Sequence, residues 1–212
     1  MADPALTAAQ VEVLHLFFSL PESAGFFLAG GAGLVAVGLS DRPTEDLDLF
    51  APEASIPAAG AALENAAEAQ GWLVDRVHEA DTFARLVIRM DDGSGTMVDL
   101  AQDAGPLAEP TITTVGPTYA APELAARKIL ALFDRSALRD FIDVDRVSGA
   151  YPRKLLIEIA GSIDEGFDVG VLAEMLSGLD RFTDDQITAF GVEPAAMRAR
   201  FHQWATTLTG RS

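Results

Sequence analysis

The sequence predicts an α+β protein in which a mixed β-sheet with helices is followed by an all-helical lobe. Two apolar segments flank "DDGSG", which is a hairpin signal. From Pro122 onward, apolar residues recur at helical spacing. The charge also shifts near residue 120: residues 1–120 carry 18 acidic and 4 basic residues, whereas residues 121–212 carry 14 and 11. We therefore predict two domains, 1–120 and 121–212.

Periodicity and turn residues place the individual elements. Thr7 precedes an amphipathic helix, Gly30-Gly31 turns a short strand into a helix, and Gly71 ends an alanine-rich helix. In the first half the helices are predicted at about 7–20, 32–39 and 56–71, and the strands at 26–29, 46–50, 72–79, 82–90, 96–101 and 111–116. In the second half the helices are predicted at about 122–134, 137–148, 152–160, 168–180 and 194–208.

The composition excludes several classes of site. The 212 residues contain no cysteine, which rules out disulfides, thiolate zinc sites and cysteine nucleophiles and is compatible with a cytoplasmic protein. Neither a G-x-x-x-x-G-K-[ST] phosphate loop nor a G-x-S-x-G nucleophile motif is present. The net charge of −17 argues against broad binding to DNA or RNA, which needs a basic stripe.

Sixteen consecutive residues, Ala24 to Leu39, carry no polar side chain. This length falls short of the roughly 18–20 residues that span a bilayer. Five of the sixteen are glycine, which suits a turn better than a spanning helix. The stretch is therefore predicted to be a buried strand, turn and helix, and no contact with a membrane is expected.

Asp46 and Asp48 in "DLDLF" are the first candidates for chemistry. Side chains two residues apart on a strand share a face, so the leucines between them point into a core. Two nearby carboxylates repel unless a cation lies between them, and Mg²⁺ suits such oxygen ligands. A D-x-D pair alone is equally consistent with an exposed edge strand.

The surrounding sequence favours a phosphate and metal site. Gly30-Gly31, between a predicted strand and helix, would let a phosphate approach the backbone closely, although a plain structural turn is the alternative. Asp99 in "TMVDLA" lies on the hairpin and would join Asp46 and Asp48 if its strand lay beside theirs. Three carboxylates can hold two metal ions about 3.5–4 Å apart. The alternative for Asp99 is a surface residue at a strand end.

Basic residues gather in the second half, where an anionic ligand or one end of an RNA would be held. Lys128 shares a helix face with apolar residues, so its ammonium can reach outward from a buried stem. Arg139 and Asp143, four apart, are expected to form an ion pair. Arg135 either contacts phosphate or ties a loop down, and the second role is favoured. For three further bases we favour solvated helix-face charges: Arg146, Arg153 and Lys154.

Three segments in order carry a resemblance: "FLAGGAGLVAVGLSDRPTEDLDLF", "MVDLA" and "ELAARKILALFDRSALRDFIDV". Over roughly residues 25–148 the chain resembles the nucleotidyltransferase family of AbiEii toxins. Its members carry a Gly-Gly turn, an "[ST]-E-D-[IL]-D-L-F" element and a later "R-x-x-x-R-D-F-x-D" element. The resemblance implies a nucleotidyltransferase-like mixed sheet followed by a helical lobe.

The resemblance also implies roles for individual residues. Gly30 and Gly31 would cradle nucleotide phosphates, Asp46 and Asp48 would hold Mg²⁺, and Lys128 would grip the triphosphate. Asp140 would complete the active site, either as a base for the acceptor or as an orienting residue. One departure is Ala32, which stands where family members usually have Thr or Ser.

The function expected from this resemblance is transfer of a nucleoside monophosphate from a nucleoside triphosphate (NTP) to an acceptor hydroxyl, with release of pyrophosphate. The acceptor would be a transfer-RNA end and the protein a toxin with a cognate antitoxin. The acidic composition fits a small-molecule or protein acceptor better. Because of Ala32, a relative that binds nucleotide or metal without turnover stays open as a further alternative.

Overall fold

The structure is a computed structural model and describes residues 6–210. The chain divides into two compact units, the first ending at Leu124 and the second beginning at Ala125. The boundary expected from composition, between residues 120 and 121, falls where helix α4 (Ala121–Arg135) begins. The first turn of α4 belongs to the first unit and the remainder to the second.

A seven-stranded mixed sheet forms the centre of the first unit, in the order β3-β4-β5-β2-β1-β7-β6. Strand β2 runs parallel to β5 on one side and antiparallel to β1 on the other. The mixed sheet predicted from the sequence is therefore confirmed. The strands are β1 (Phe27–Leu28), β2 (Asp46–Ala51), β3 (Leu73–Ala80), β4 (Phe83–Arg89), β5 (Gly95–Gln102), β6 (Thr111–Thr113) and β7 (Gly116–Thr118).

Two hairpins show how local sequence sets this sheet. Strands β4 and β5 pair antiparallel around the "DDGSG" turn, as predicted. The single strand expected at 111–116 is instead a tight hairpin of β6 and β7. The chain reverses there because Gly116 adopts a positive φ of 128°, and the Thr113 hydroxyl donates to the Gly116 carbonyl at 2.7 Å. The segment "TITTVG" shows too little alternation of apolar and polar residues for this reversal to be predicted.

Three helices pack with the sheet to form the core of the first unit. Helix α1 begins after Thr7, whose side chain and that of Gln10 form a capping box. The buried cluster includes Leu47 and Leu49 of β2 and Leu63 of the alanine-rich helix. Besides α4, the helices of this unit are α1 (Ala8–Phe18), α2 (Gly30–Ala36) and α3 (Ile56–Ala69).

The second unit is helical throughout its described residues, as predicted. Phe141 packs edge-on against Phe201 with ring centroids 5.3 Å apart. A short helix after Thr183 was not predicted, because its five residues are too few to show a period. The helices after α4 are α5 (Leu138–Ala150), α6 (Arg153–Ile163), α7 (Val169–Ser177), α8 (Asp184–Thr188) and α9 (Pro194–Thr209). Among the helices of residues 6–210, none is both long enough and apolar enough to cross a membrane.

Candidate active site

The alternation of β2 presents two carboxylates on one face of the sheet. Leu47 and Leu49 are fully buried, while Asp46 and Asp48 are half-buried. On the parallel neighbour β5, Asp99 lies directly beside Asp48 in register. Paired positions on adjacent strands share a face, so the three aspartates lie on the same side of the sheet. The hairpin strand therefore lies beside "DLDLF", which is the condition under which Asp99 would join Asp46 and Asp48.

Arg85 of β4 binds the third aspartate. It donates from Nε and Nη2 to the two carboxylate oxygens of Asp99 at 2.7 and 2.6 Å. The pKa of Arg85 is raised, mainly by this hydrogen bond and further by the charges of Asp99, Asp46 and Asp48. Arg85 is thus a cation on the carboxylate face, a feature that the motif analysis did not identify.

Gly30 allows β2 and α2 to approach each other. Its φ is +58°, and a Cβ at this position would lie 1.7 Å from Oδ2 of Asp48. Any side chain here would displace the carboxylate. Asp48 is therefore placed directly against the backbone of the Gly-Gly turn, which is the juxtaposition of glycine turn and D-x-D that the sequence suggested.

Thr44 positions the chain just before β2. A Cβ on Gly31 would lie 2.8 Å from its hydroxyl oxygen. That hydroxyl donates toward the backbone and side-chain oxygens of Asp46, each at 3.2 Å, and the Thr44 carbonyl accepts from the buried Gln10 side chain at 2.9 Å. Gln10 also caps α1, so one side chain connects the start of that helix to the loop before the aspartates. This connection spans 34 residues and has no local sequence signal.

Ala32, which stands where a hydroxyl was expected from the resemblance, is fully buried and belongs to the apolar cluster of the first unit. A hydroxyl in that surrounding would need a hydrogen-bond partner of its own. The alanine is therefore explained by packing in this chain.

The donor set fits one hard cation on two carboxylates. Mg²⁺ is commonly held by one or two carboxylates together with water and substrate phosphates, and Asp46 and Asp48 offer that pair. Within residues 6–210, no group of three or more His, Cys, Asp or Glu side chains has a metal-holding arrangement. Asp99 as a metal ligand stays a prediction, since both of its oxygens are bound by Arg85.

In the second unit, Lys128 forms an ion pair with Asp143. Its Nζ lies 3.0 Å from Oδ2 of Asp143, and the two side chains are 10% and 2% exposed. Helical spacing had assigned this carboxylate to Arg139, whereas the structure pairs it with Lys128 of the preceding helix. The Arg139–Asp143 pair stays a prediction. The role of Lys128 on a triphosphate stays a prediction.

Asp140 is fully buried at the start of α5. Its carboxylate accepts from Nε and Nη2 of Arg135 at 2.9 and 2.7 Å and from the backbone N–H of Ala137 at 3.0 Å. Arg135 therefore ties the connection between α4 and α5, the role favoured for it from sequence. These contacts suit an orienting role for Asp140 better than that of a base, and its catalytic role stays a prediction.

A family comparison agrees with this arrangement. The profile of the nucleotidyl transferase AbiEii toxin of type IV toxin–antitoxin systems matches residues 16–161, about two thirds of the chain. The chain belongs to this AbiEii family. It is accordingly a nucleotidyltransferase of the toxin–antitoxin class.

Solved structures show the same fold as this AbiEii protein. MenT4, a nucleotidyltransferase toxin from Mycobacterium tuberculosis, is 17% identical with a TM-score of 0.60, over 96% of this chain and 82% of that one. JHP933 from Helicobacter pylori is 14% identical with a TM-score of 0.57, over 94% and 89% of the two chains. No curated protein matches the chain in sequence.

Proposed function

We propose that this protein transfers a nucleoside monophosphate from an NTP to an acceptor hydroxyl, using a divalent cation such as Mg²⁺. The acceptor oxygen forms a bond to the α-phosphorus, the bond from that phosphorus to the bridging oxygen breaks, and pyrophosphate leaves. The hydroxyl proton passes to solvent or to a base. The observation that carries the proposal is the placement of Asp46 and Asp48 on one face of β2, with Asp48 against Gly30.

Four residues of the first unit have a part in this proposal. Asp46 and Asp48 would hold the cation, which supplies positive charge for the phosphate oxygens as negative charge develops on them. Gly30 and Gly31 leave room for phosphate beside the backbone, because neither bears a side chain. Such a reaction depends mainly on positioning and electrostatics.

The proposed acceptor is the end of a transfer RNA. The proposed partner is a cognate antitoxin. Membership of the AbiEii family supports both proposals. One observation favours a different acceptor. The net charge of −17 repels a polyanion such as RNA more strongly than it repels a small molecule or a protein of low net charge.

Label transfer from each of the four α-³²P-labelled NTPs, with Mg²⁺, into total cellular RNA and protein tests these proposals. The Asp46→Ala/Asp48→Ala variant is the control. Label in RNA of transfer-RNA size, absent with the control variant, would support the first acceptor and identify the nucleotide. Label in protein alone would support the second. NTP binding by calorimetry without pyrophosphate release would contradict the proposed reaction.

A further inference from the structure

The second unit contains a cavity of about 410 Å³ between α6, α7 and α9. We call it the helical cavity. Its walls include the apolar side chains of Ile157, Val169, Trp204 and Leu208. Pockets of about 300–1,000 Å³ with mostly apolar walls and a few polar groups are typical of small-molecule sites. The nucleotidyltransfer proposal gives this cavity no role.

Arg153 is one of the charged residues that line the helical cavity. Its guanidinium lies over the Trp204 ring, 4.5 Å from the ring centroid. Among the side chains of residues 6–210, no carboxylate lies within ion-pair distance of it. Burial lowers the pKa of Arg153, although an arginine stays charged at neutral pH. The charge of Asp145 acts in the opposite direction, but that carboxylate already accepts from Arg200 at 2.8 and 2.6 Å.

Arg153 is therefore a partly desolvated cation with an aromatic contact and, within residues 6–210, no carboxylate at ion-pair distance. A cation in this state gains more from an anionic ligand than a fully hydrated cation does, because part of its desolvation cost has already been met. Sequence reasoning favoured solvated helix-face charges for Arg153 and Lys154. This holds for Lys154, whose side chain is 89% exposed, but not for Arg153.

The charges at the cavity favour a small anion. Lys154 also lines the cavity, and its ion pair with Glu158 is long at 3.7 Å and exposed. Such a surface pair contributes little and opens easily. With two cations and one carboxylate lining the helical cavity, its charge is opposite in sign to that of the whole chain.

The walls also limit the chemistry of the ligand. The neutral polar groups among the lining side chains are the indole N–H of Trp204 and the hydroxyl of Thr207, which already donates to the Gln203 carbonyl at 2.8 Å. A nucleobase would leave several hydrogen-bonding groups unsatisfied against such walls, which is costly. An unbranched or aromatic hydrocarbon body has no hydrogen-bonding groups and would leave none unsatisfied there.

We propose that the helical cavity binds a small organic anion, a carboxylate on an apolar body, with the carboxylate on Arg153 and the body between Val169 and Trp204. The ligand that we propose is a free monomeric acid and not a lipid within a bilayer. This site is independent of nucleotidyl transfer, so failure of either proposal leaves the other standing.

Calorimetric titration of the full chain with octanoate tests the proposal, with neutral octan-1-ol as the matched ligand. Octanoate should bind at one site per chain and more tightly than octanol. Arg153→Gln should weaken octanoate binding about tenfold, because a charge-assisted hydrogen bond is lost, with little effect on octanol. Circular dichroism of each variant checks that its helices are retained.

Two valines on α7 provide a matched pair of variants. Both are 37% exposed, but Val169 lines the helical cavity and Val171 does not. Val169→Glu should abolish octanoate binding by filling the cavity and supplying a carboxylate to Arg153, whereas Val171→Glu should leave it unchanged. No binding of octanoate, equal binding of octanoate and octanol, or binding only to anionic phospholipid vesicles would each overturn the proposal.

Discussion

The carboxylate of Asp48 occupies the space where a side chain of Gly30 would begin, with 1.7 Å between Oδ2 and the position of a Cβ. Residues 18 positions apart in the sequence therefore form one local unit, in which the glycine turn sets the position of the carboxylate.

Gly30→Ala should displace Asp48 and reduce nucleotidyl transfer by about a hundredfold, because a misplacement of about 1 Å at a reacting site can cost this much. The positive φ adds about 1–2 kcal/mol of strain for any L-residue with a side chain. Gly38→Ala is the matched control, since its φ is +74° but a Cβ there would have no neighbour within 4 Å. Thermal unfolding and transfer rates compare the two. Equal transfer by both variants would show that the Gly30–Asp48 contact is unimportant.

Arg85→Gln should increase the affinity of the first unit for Mn²⁺ by about tenfold, because it removes a cation from a face that carries three carboxylates. Electron paramagnetic resonance of free Mn²⁺ measures this directly. Arg89, on the same strand as Arg85, forms an exposed ion pair with Asp75 of β3, and Arg89→Gln should leave Mn²⁺ affinity unchanged. Weaker Mn²⁺ binding by Arg85→Gln would mean that Arg85 holds Asp99 in place for the metal.

Lys128→Met should destabilise the protein by about 3 kcal/mol, because it removes the ammonium beside the buried Asp143 carboxylate. Lys128→Met/Asp143→Asn should recover part of this loss, since the buried charge is removed as well. Urea unfolding measures both variants. Lys154→Met, at an exposed pair, should cost less than about 0.5 kcal/mol. If Lys128→Met destabilised the protein no more than Lys154→Met, the Lys128–Asp143 pair would not contribute to stability.

Two arginine–aspartate pairs with similar geometry should differ in their contribution to stability. Arg135→Gln should cost about 3 kcal/mol because Asp140 is fully buried, and a buried carboxylate that loses its partner is costly. Arg200→Gln removes the two hydrogen bonds to the more exposed Asp145 and should cost about 1 kcal/mol or less. Denaturant midpoints provide the comparison, and equal shifts would contradict the assignment of Asp140 as a buried anchor.

Sequence reasoning succeeded where the signal was local. The alternation of "DLDLF" was sufficient to predict two carboxylates on one face, and the "DDGSG" turn was sufficient to predict the hairpin that carries Asp99. The pairing of that hairpin with β2 joins distant segments and was left open. The Arg85–Asp99 pair could also be predicted from the hairpin. Arg89 pairs with Gly95 beside the turn, and four residues further along each strand Arg85 lies opposite Asp99.

Contacts between distant segments could not be predicted in this way. The bond from Gln10 to Thr44 depends on how α1 packs, and no periodicity encodes it. The prediction that Arg153 is a solvated charge was wrong for a related reason. Its spacing is that of a solvated helix face, and only the packing of α9 brings Trp204 beneath it.

We propose that Asp46 and Asp48 together support cation-dependent transfer. Pyrophosphate release from the preferred NTP, measured across a Mg²⁺ titration for the wild type and for Asp48→Asn, tests it most directly. Asp75→Asn, which changes an exposed aspartate on β3, is the control. We expect Asp48→Asn to lose release by at least about a hundredfold with an unchanged unfolding midpoint, while Asp75→Asn behaves as wild type. Release by Asp48→Asn at the wild-type rate and the same Mg²⁺ dependence would contradict the account.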